Sequence, residues 1–127
     1  MKTVLLIEDN CEILENTCEL LELNGFRVIP AFNGKIGILL ASEIKPDIIL
    51  CDIMMPEMNG YEVFTRLKKN EKTTSIPFVF LTASVERKDV ELAFGMGVQG
   101  YIRKPFDIDE LIGTINKCLK VTASVLH

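Results

Sequence analysis

Short apolar, β-branched runs alternate along this chain with longer segments in which apolar residues recur every three or four positions. TVLLIE (3–8) reads as a strand. A helix follows, with Ile13, Leu14, Thr17, Cys18 and Leu21 on one face and Asn24-Gly25 as its stop. RVIPAF (27–32) is a second strand, expected at a sheet edge because Pro30 has no N–H to give to a ladder. Ile36, Leu39, Leu40 and Ile44 mark a second helix, IILC (48–51) a third strand, and Tyr61 to Lys69 a third helix behind Asn59-Gly60. PFVFLT (77–82) is strand four, Val85 to Met96 helix four, and GYIR (100–103) strand five. Ile108, Leu111, Ile112, Ile115 and Leu119 stripe a last helix. Residues 1–120 then make one domain, and VTASVLH (121–127) a short tail.

The strands are too apolar to have a wet face. Burial on both sides implies a parallel sheet between two layers of helix, an α/β fold of five βα units. Right-handed crossovers make it doubly wound, in three layers, and ligands of such sheets sit beyond the carboxyl ends of the strands. No internal repeat, low-complexity segment or linker interrupts the pattern.

Composition narrows the class. At 127 residues, with 48% apolar and 25% charged residues, the chain has the make-up of one globular domain with its own core. No apolar run approaches the roughly 18 residues of a membrane helix. The N-terminal MKTVLLIED lacks a signal-peptide shape, so a cytoplasmic location without membrane attachment is expected. A net charge of −4 argues against a nucleic-acid-binding face. Cysteines 11, 18, 51 and 118 include no C-x-x-C pair and read as reduced, mostly buried small hydrophobes. The single histidine, His127, ends the chain, which disfavours a zinc site or a histidine nucleophile.

Candidate chemistry gathers at the strand ends. Strand one ends in Glu8-Asp9, strand three in Asp52 and strand four in Thr82, and strand five runs directly into Lys104-Pro105. Taken singly, Asp9 reads as an N-cap of helix one, Glu8 as a solvated acid, Thr82 as a strand-end residue and Lys104 as a surface lysine. Asp52 differs, because a carboxylate after four apolar residues needs a partner. In a parallel sheet all five share one edge. Three converging carboxylates repel one another, and one must take up a proton or the set must recruit a cation. Oxygen-only ligands suit Mg²⁺, Lys104 offers charge to a phosphate oxygen and Thr82 a hydroxyl donor. That combination serves phosphoryl transfer, with an aspartate as a carboxylate nucleophile.

These residues resemble the receiver domains of bacterial response regulators, of the chemotaxis-receiver kind, from Lys2 to about Lys120. The likeness rests on Glu8-Asp9, on Asp52 within "IILCDIMMPEMNGYEVF", on Thr82-Ala83 and on "GYIRKPF". It implies a flavodoxin-like sheet of strand order 2-1-3-4-5. It also implies that Asp52 accepts a phosphoryl group from a phosphohistidine on a sensor histidine kinase or histidine phosphotransfer protein, in a phosphorelay. Asp9, Asp52 and the backbone carbonyl of Met54 would bind Mg²⁺, with Glu8 acting mostly through a metal-bound water. Thr82 and Lys104 would contact the phosphoryl oxygens, and the Lys104-Pro105 bond would be cis. Thr82 would then move inward and Tyr101 follow, reshaping the helix 4–strand 5–helix 5 face for an output protein or a second copy. Tyr101 has a second, less favoured reading, as an aromatic packed between the last two helices. A domain of this kind catalyses only its own phosphoryl transfer and autodephosphorylation. Met54 and Ser84, two residues beyond Asp52 and Thr82, would line the path of the hydrolysing water. The first acid is Glu where the family more often has Asp.

Two other readings fit less. A phosphohydrolase forming an aspartyl-phosphate places a second acid two residues after its nucleophile, where this chain has Met54. A flavodoxin-type cofactor binder needs a phosphate loop after strand one, where Glu8-Asp9-Asn10 would repel phosphate. A stand-alone receiver and the front part of a longer regulator both remain open.

Overall fold

Alternation of strand and helix is carried through the whole computed structural model, which describes residues 1–83 and 86–126, with side chains as far as residue 120. The order is β1 (Thr3–Ile7), α1 (Cys11–Leu23), β2 (Arg27–Ala31), α2 (Gly34–Ile44), β3 (Ile48–Asp52), α3 (Gly60–Lys68), β4 (Phe78–Thr82), α4 (Arg87–Met96), β5 (Gly100–Arg103) and α5 (Ile108–Leu126). All strand pairs are parallel, in the order β2-β1-β3-β4-β5. Pro30 lies on the edge strand opposite Leu6, where its missing N–H interrupts nothing. Ser84, Val85 and His127, which the sequence reading gave to the water path, the start of helix four and the tail, lie outside the described residues.

Strand alternation sorts the core into two layers. Leu5, Ile7, Ile49, Cys51, Phe78 and Phe80 pack with Ala41, Val63, Phe64, Leu67 and Ala93 of α2, α3 and α4. Val4, Leu6, Ile48, Leu50, Val79, Leu81 and Ile102 pack with Leu14, Leu21, Leu111, Ile115 and Cys118 of α1 and α5. Phe64, Phe78 and Phe80 meet edge to face, with ring centroids 5.1 and 5.2 Å apart along the series. Aromatic rings favour that geometry because the positive edge of one meets the negative face of the next.

The helices depart from the sequence reading in instructive ways. Leu39 is 57% exposed and Ile44 is also exposed, although both belong to the apolar periodicity that marks α2. The face that α2 actually buries is Gly34, Gly37 and Ala41. A Cβ on Gly37 would lie 2.4 Å from Ile7 Cδ1, so α2 approaches the sheet more closely than a leucine face allows. Ile13 is likewise exposed on α1. Two cysteines, Cys51 and Cys118, are buried, Cys18 is half-buried and Cys11 is exposed; none of the four is in a disulfide. Strands two and four each begin or end one residue short of their apolar runs, and α5 continues to Leu126 through the segment read as a tail. Among the described residues, no helix is long and apolar enough to cross a membrane.

Candidate functional site

The site begins where β1 gives way to α1. Asn10 caps the helix, its side-chain oxygen accepting from the Ile13 N–H at 3.0 Å. Asp9, a candidate for that role from sequence, is therefore not the cap and is left for the cluster. Glu8 is not a solvated acid: it is 1% exposed, and its N–H donates to the Ala31 carbonyl at 3.0 Å. Glu8 Oε2 accepts from the Asn10 N–H at 3.2 Å, and Glu8 Oε1 accepts from the Lys104 ammonium in a close ion pair.

Asp52 closes β3 at 7% exposure, and its Oδ1 stands 3.4 Å from Lys104 Nζ. Lys104 reaches both acids from the β5–α5 junction, where its N–H donates to the Thr82 carbonyl at 2.7 Å and the Lys104-Pro105 bond is cis. One carboxylate oxygen from each of Glu8, Asp9 and Asp52 lies within 4.8 Å of the others. Burial pushes the Asp52 carboxyl above the ordinary carboxylate range, an effect that Lys104 opposes. Burial also raises Asp9, and its hydrogen bond with Glu8 adds to the rise. Both shifts say that negative charge is held here at a cost, which a cation among the three oxygens would offset.

The loop after β3 folds back on its own strand. The Gly60 N–H donates to the Ile53 carbonyl at 2.8 Å, and a Cβ on Gly60 would come within 2.6 Å of the Asp52 carbonyl oxygen. Only glycine fits that approach. Asn59 caps α3 through the Glu62 N–H at 3.0 Å. Met54 rides on this loop with its side chain 77% exposed.

Thr82 is buried at the end of β4 and lines a cleft of about 580 Å³ with Ile53, Met54, Tyr61, Asp89 and Tyr101. Tyr101 is half-buried, its ring centroid 6.4 Å from that of Phe94 on α4. Burial and the neighbouring Asp89 and Tyr101 push the Tyr61 hydroxyl pKa up. The fold thus brings Glu8, Asp9, Asp52 and Lys104 into one cluster, and puts Thr82 and Tyr101 together in the adjoining cleft. Sequence reasoning missed Tyr61 and Asp89 in that cleft, because helical spacing alone does not say what a helix start faces. It also missed Asn10 as the cap, although Asn three residues before Ile13 was a readable signal.

This arrangement of fold and site is that of a signalling domain, and the chain belongs to the response regulator receiver domain family, whose model matches residues 4–116. It is 34% identical over 119 residues to the protein PilH of Pseudomonas aeruginosa, covering 94% of this chain and 98% of PilH. It is 40% identical over 116 residues to the probable transcriptional regulator ycf29 of Pyropia yezoensis, covering 91% of this chain and 52% of ycf29. The chain spans about half the length of most of the curated relatives it resembles. Among solved structures, a response regulator receiver domain from Clostridium thermocellum superposes with a TM-score of 0.91 at 27% identity, covering 98% of this chain and 99% of that one.

Proposed function

We propose that Asp52 is the phosphoacceptor of this receiver domain. Its carboxylate attacks the phosphorus of a phosphohistidine on a sensor histidine kinase or histidine phosphotransfer protein. The O–P bond forms as the P–N bond breaks, and the imidazole nitrogen leaves with the electron pair. The observation that carries the reading is the placement of Asp52: buried, at a strand end, among acids and 3.4 Å from Lys104.

Glu8, Asp9 and Asp52 present hard oxygen donors within 4.8 Å of one another, a set that fits Mg²⁺. Asp9 and Asp52 would hold the ion with the Met54 carbonyl, and Glu8 through water; bound there, Mg²⁺ supplies charge neutralisation for a dianionic phosphoryl group. Lys104 pairs with a phosphoryl oxygen and Thr82 donates its hydroxyl to another. The inward movement of Thr82 opens room in its cleft for Tyr101. The α4–β5–α5 face then changes shape for an output protein or a second copy, a two-state element biased by phosphate. Hydrolysis of the phosphoaspartate by water returns the domain to its resting state.

Acetyl phosphate with Mg²⁺ is expected to add a single base-labile phosphoryl group, read by intact mass, and EDTA to prevent it. Asp52→Asn is expected to take none; equal labelling of that variant would show that another residue is the acceptor.

A further inference from the structure

The loop after β3 carries three methionines within five residues, Met54, Met55 and Met58, and the fold treats them differently. Met55 is 8% exposed and belongs to the core under α2, α3 and α4. Met58 packs against the same core, its sulfur 3.1 Å from where a Cβ on Gly34 would lie. Met54 is largely exposed, although a thioether ordinarily serves to fill apolar gaps. It stands two residues beyond Asp52 and lines the same cleft as Thr82 and Tyr101. Exposure governs how readily a thioether is oxidised, and the sulfoxide is polar where the thioether was apolar. A thioether is a weak acceptor, so Met54 as it stands holds no water firmly.

We propose that Met54 is a site of reversible oxidation, at which hydrogen peroxide shortens the life of a phosphoryl group on Asp52. The sulfur gives an electron pair to one oxygen of the peroxide. The S–O bond forms, the O–O bond breaks, and the departing hydroxide takes the proton left on the transferred oxygen and leaves as water. Sulfur is oxidised by two electrons and the peroxide is reduced. The sulfoxide oxygen is a hydrogen-bond acceptor at the mouth of the cleft, beside buried Asp52, and it orients a water toward the phosphorus. That water's oxygen bonds to phosphorus as the O–P bond to Asp52 breaks. The carboxylate leaves with the electron pair, and the water's proton passes to the released phosphate. Met54 is thus a positioning residue that acts through water. A methionine sulfoxide reductase, drawing on a dithiol, returns the thioether and releases the oxygen as water. This inference rests on the proposed role of Asp52.

The test treats the native chain and Met54→Leu with hydrogen peroxide, then with dithiothreitol, which clears oxidised cysteines but leaves sulfoxides. Peptide mass mapping should find one added oxygen on Met54 well before any on Met55 or Met58. Each protein is then labelled with acetyl phosphate and Mg²⁺, freed of donor, and followed by intact mass. The oxidised native chain is expected to lose phosphate about fivefold faster than the untreated one, the effect of one ordinary hydrogen bond. The reductase should restore the slower rate. Treatment should not change the rate of Met54→Leu, and Met54→Gln, with an amide oxygen at similar reach, should lose phosphate faster without peroxide. Equal oxidation of Met54 and Met55, or a native rate that peroxide leaves unchanged or lowers, overturns the inference while Asp52 stands as the acceptor. A Met54→Leu chain that responds as the native one does puts the effect on another residue and equally overturns it. If neither chain takes up phosphate, the reading of Asp52 fails and the inference with it.

Discussion

Asp9 is the most solvent-open of the three clustered acids, and its charge still costs the fold something, since burial and Glu8 both raise its pKa. An acid whose pKa is higher folded than unfolded penalises the folded state at neutral pH, and the penalty disappears as pH falls below the unfolded value. Asp9→Asn should therefore stabilise the metal-free domain. Solvent screening keeps the gain to about 1 kcal/mol or less, roughly 4 °C in Tm for a chain of this size. Thermal melts at pH 7 and at about pH 3, below the ordinary carboxylate range, provide the check. The advantage should be present in the first and gone in the second, and an advantage that persists in acid would mean that packing, not charge, produces it. Asp52 is more deeply buried and is partnered by Lys104, so its replacement also removes a favourable contact.

The return of the β3–α3 loop onto its strand depends on Gly60. A methyl group there would press on the backbone of Asp52 and Ile53, neither of which can yield as a flexible side chain would. Gly60→Ala is expected to destabilise the domain by about 2 kcal/mol and to displace Asp52, the proposed phosphoacceptor, with it. Urea unfolding and acetyl phosphate labelling should both register the change, whereas an unaltered labelling rate would mean that the loop shifts independently of Asp52. At this scale much was legible beforehand. The strands announced themselves as unbroken apolar runs, and their ends pointed to the residues that cluster, because a parallel sheet aligns all its carboxyl ends. The inner face of α2 was not legible: Leu39 is among the apolar residues that mark the helix, but contact with the sheet is made through Gly34, Gly37 and Ala41. Hydrophobicity marks which residues favour burial, not how closely two elements approach. Nor could spacing reveal that Glu8 and Lys104, 96 residues apart, would be each other's nearest partners.

At the scale of the whole molecule, the sheet separates two cores, and this division reaches the site. Glu8, Asp52 and Lys104 fall in step with Leu6, Leu50 and Ile102, whose side chains belong to the layer of α1 and α5. Thr82 and Tyr101 keep step with Phe80, on the layer of α2, α3 and α4. Asp52 with its neighbouring acid and lysine thus rests on one core, and Thr82 and Tyr101, proposed to pass the signal outward, rest on the other. The partition can be measured: Val63→Ala and Ile115→Val lie in opposite layers, and their unfolding energies in urea should add to within about 0.5 kcal/mol. A larger coupling would mean that the strands pass strain from one side to the other. With an insulating sheet, drift in the α4 side of the molecule can retune what the domain speaks to and leave untouched the chemistry by which it listens.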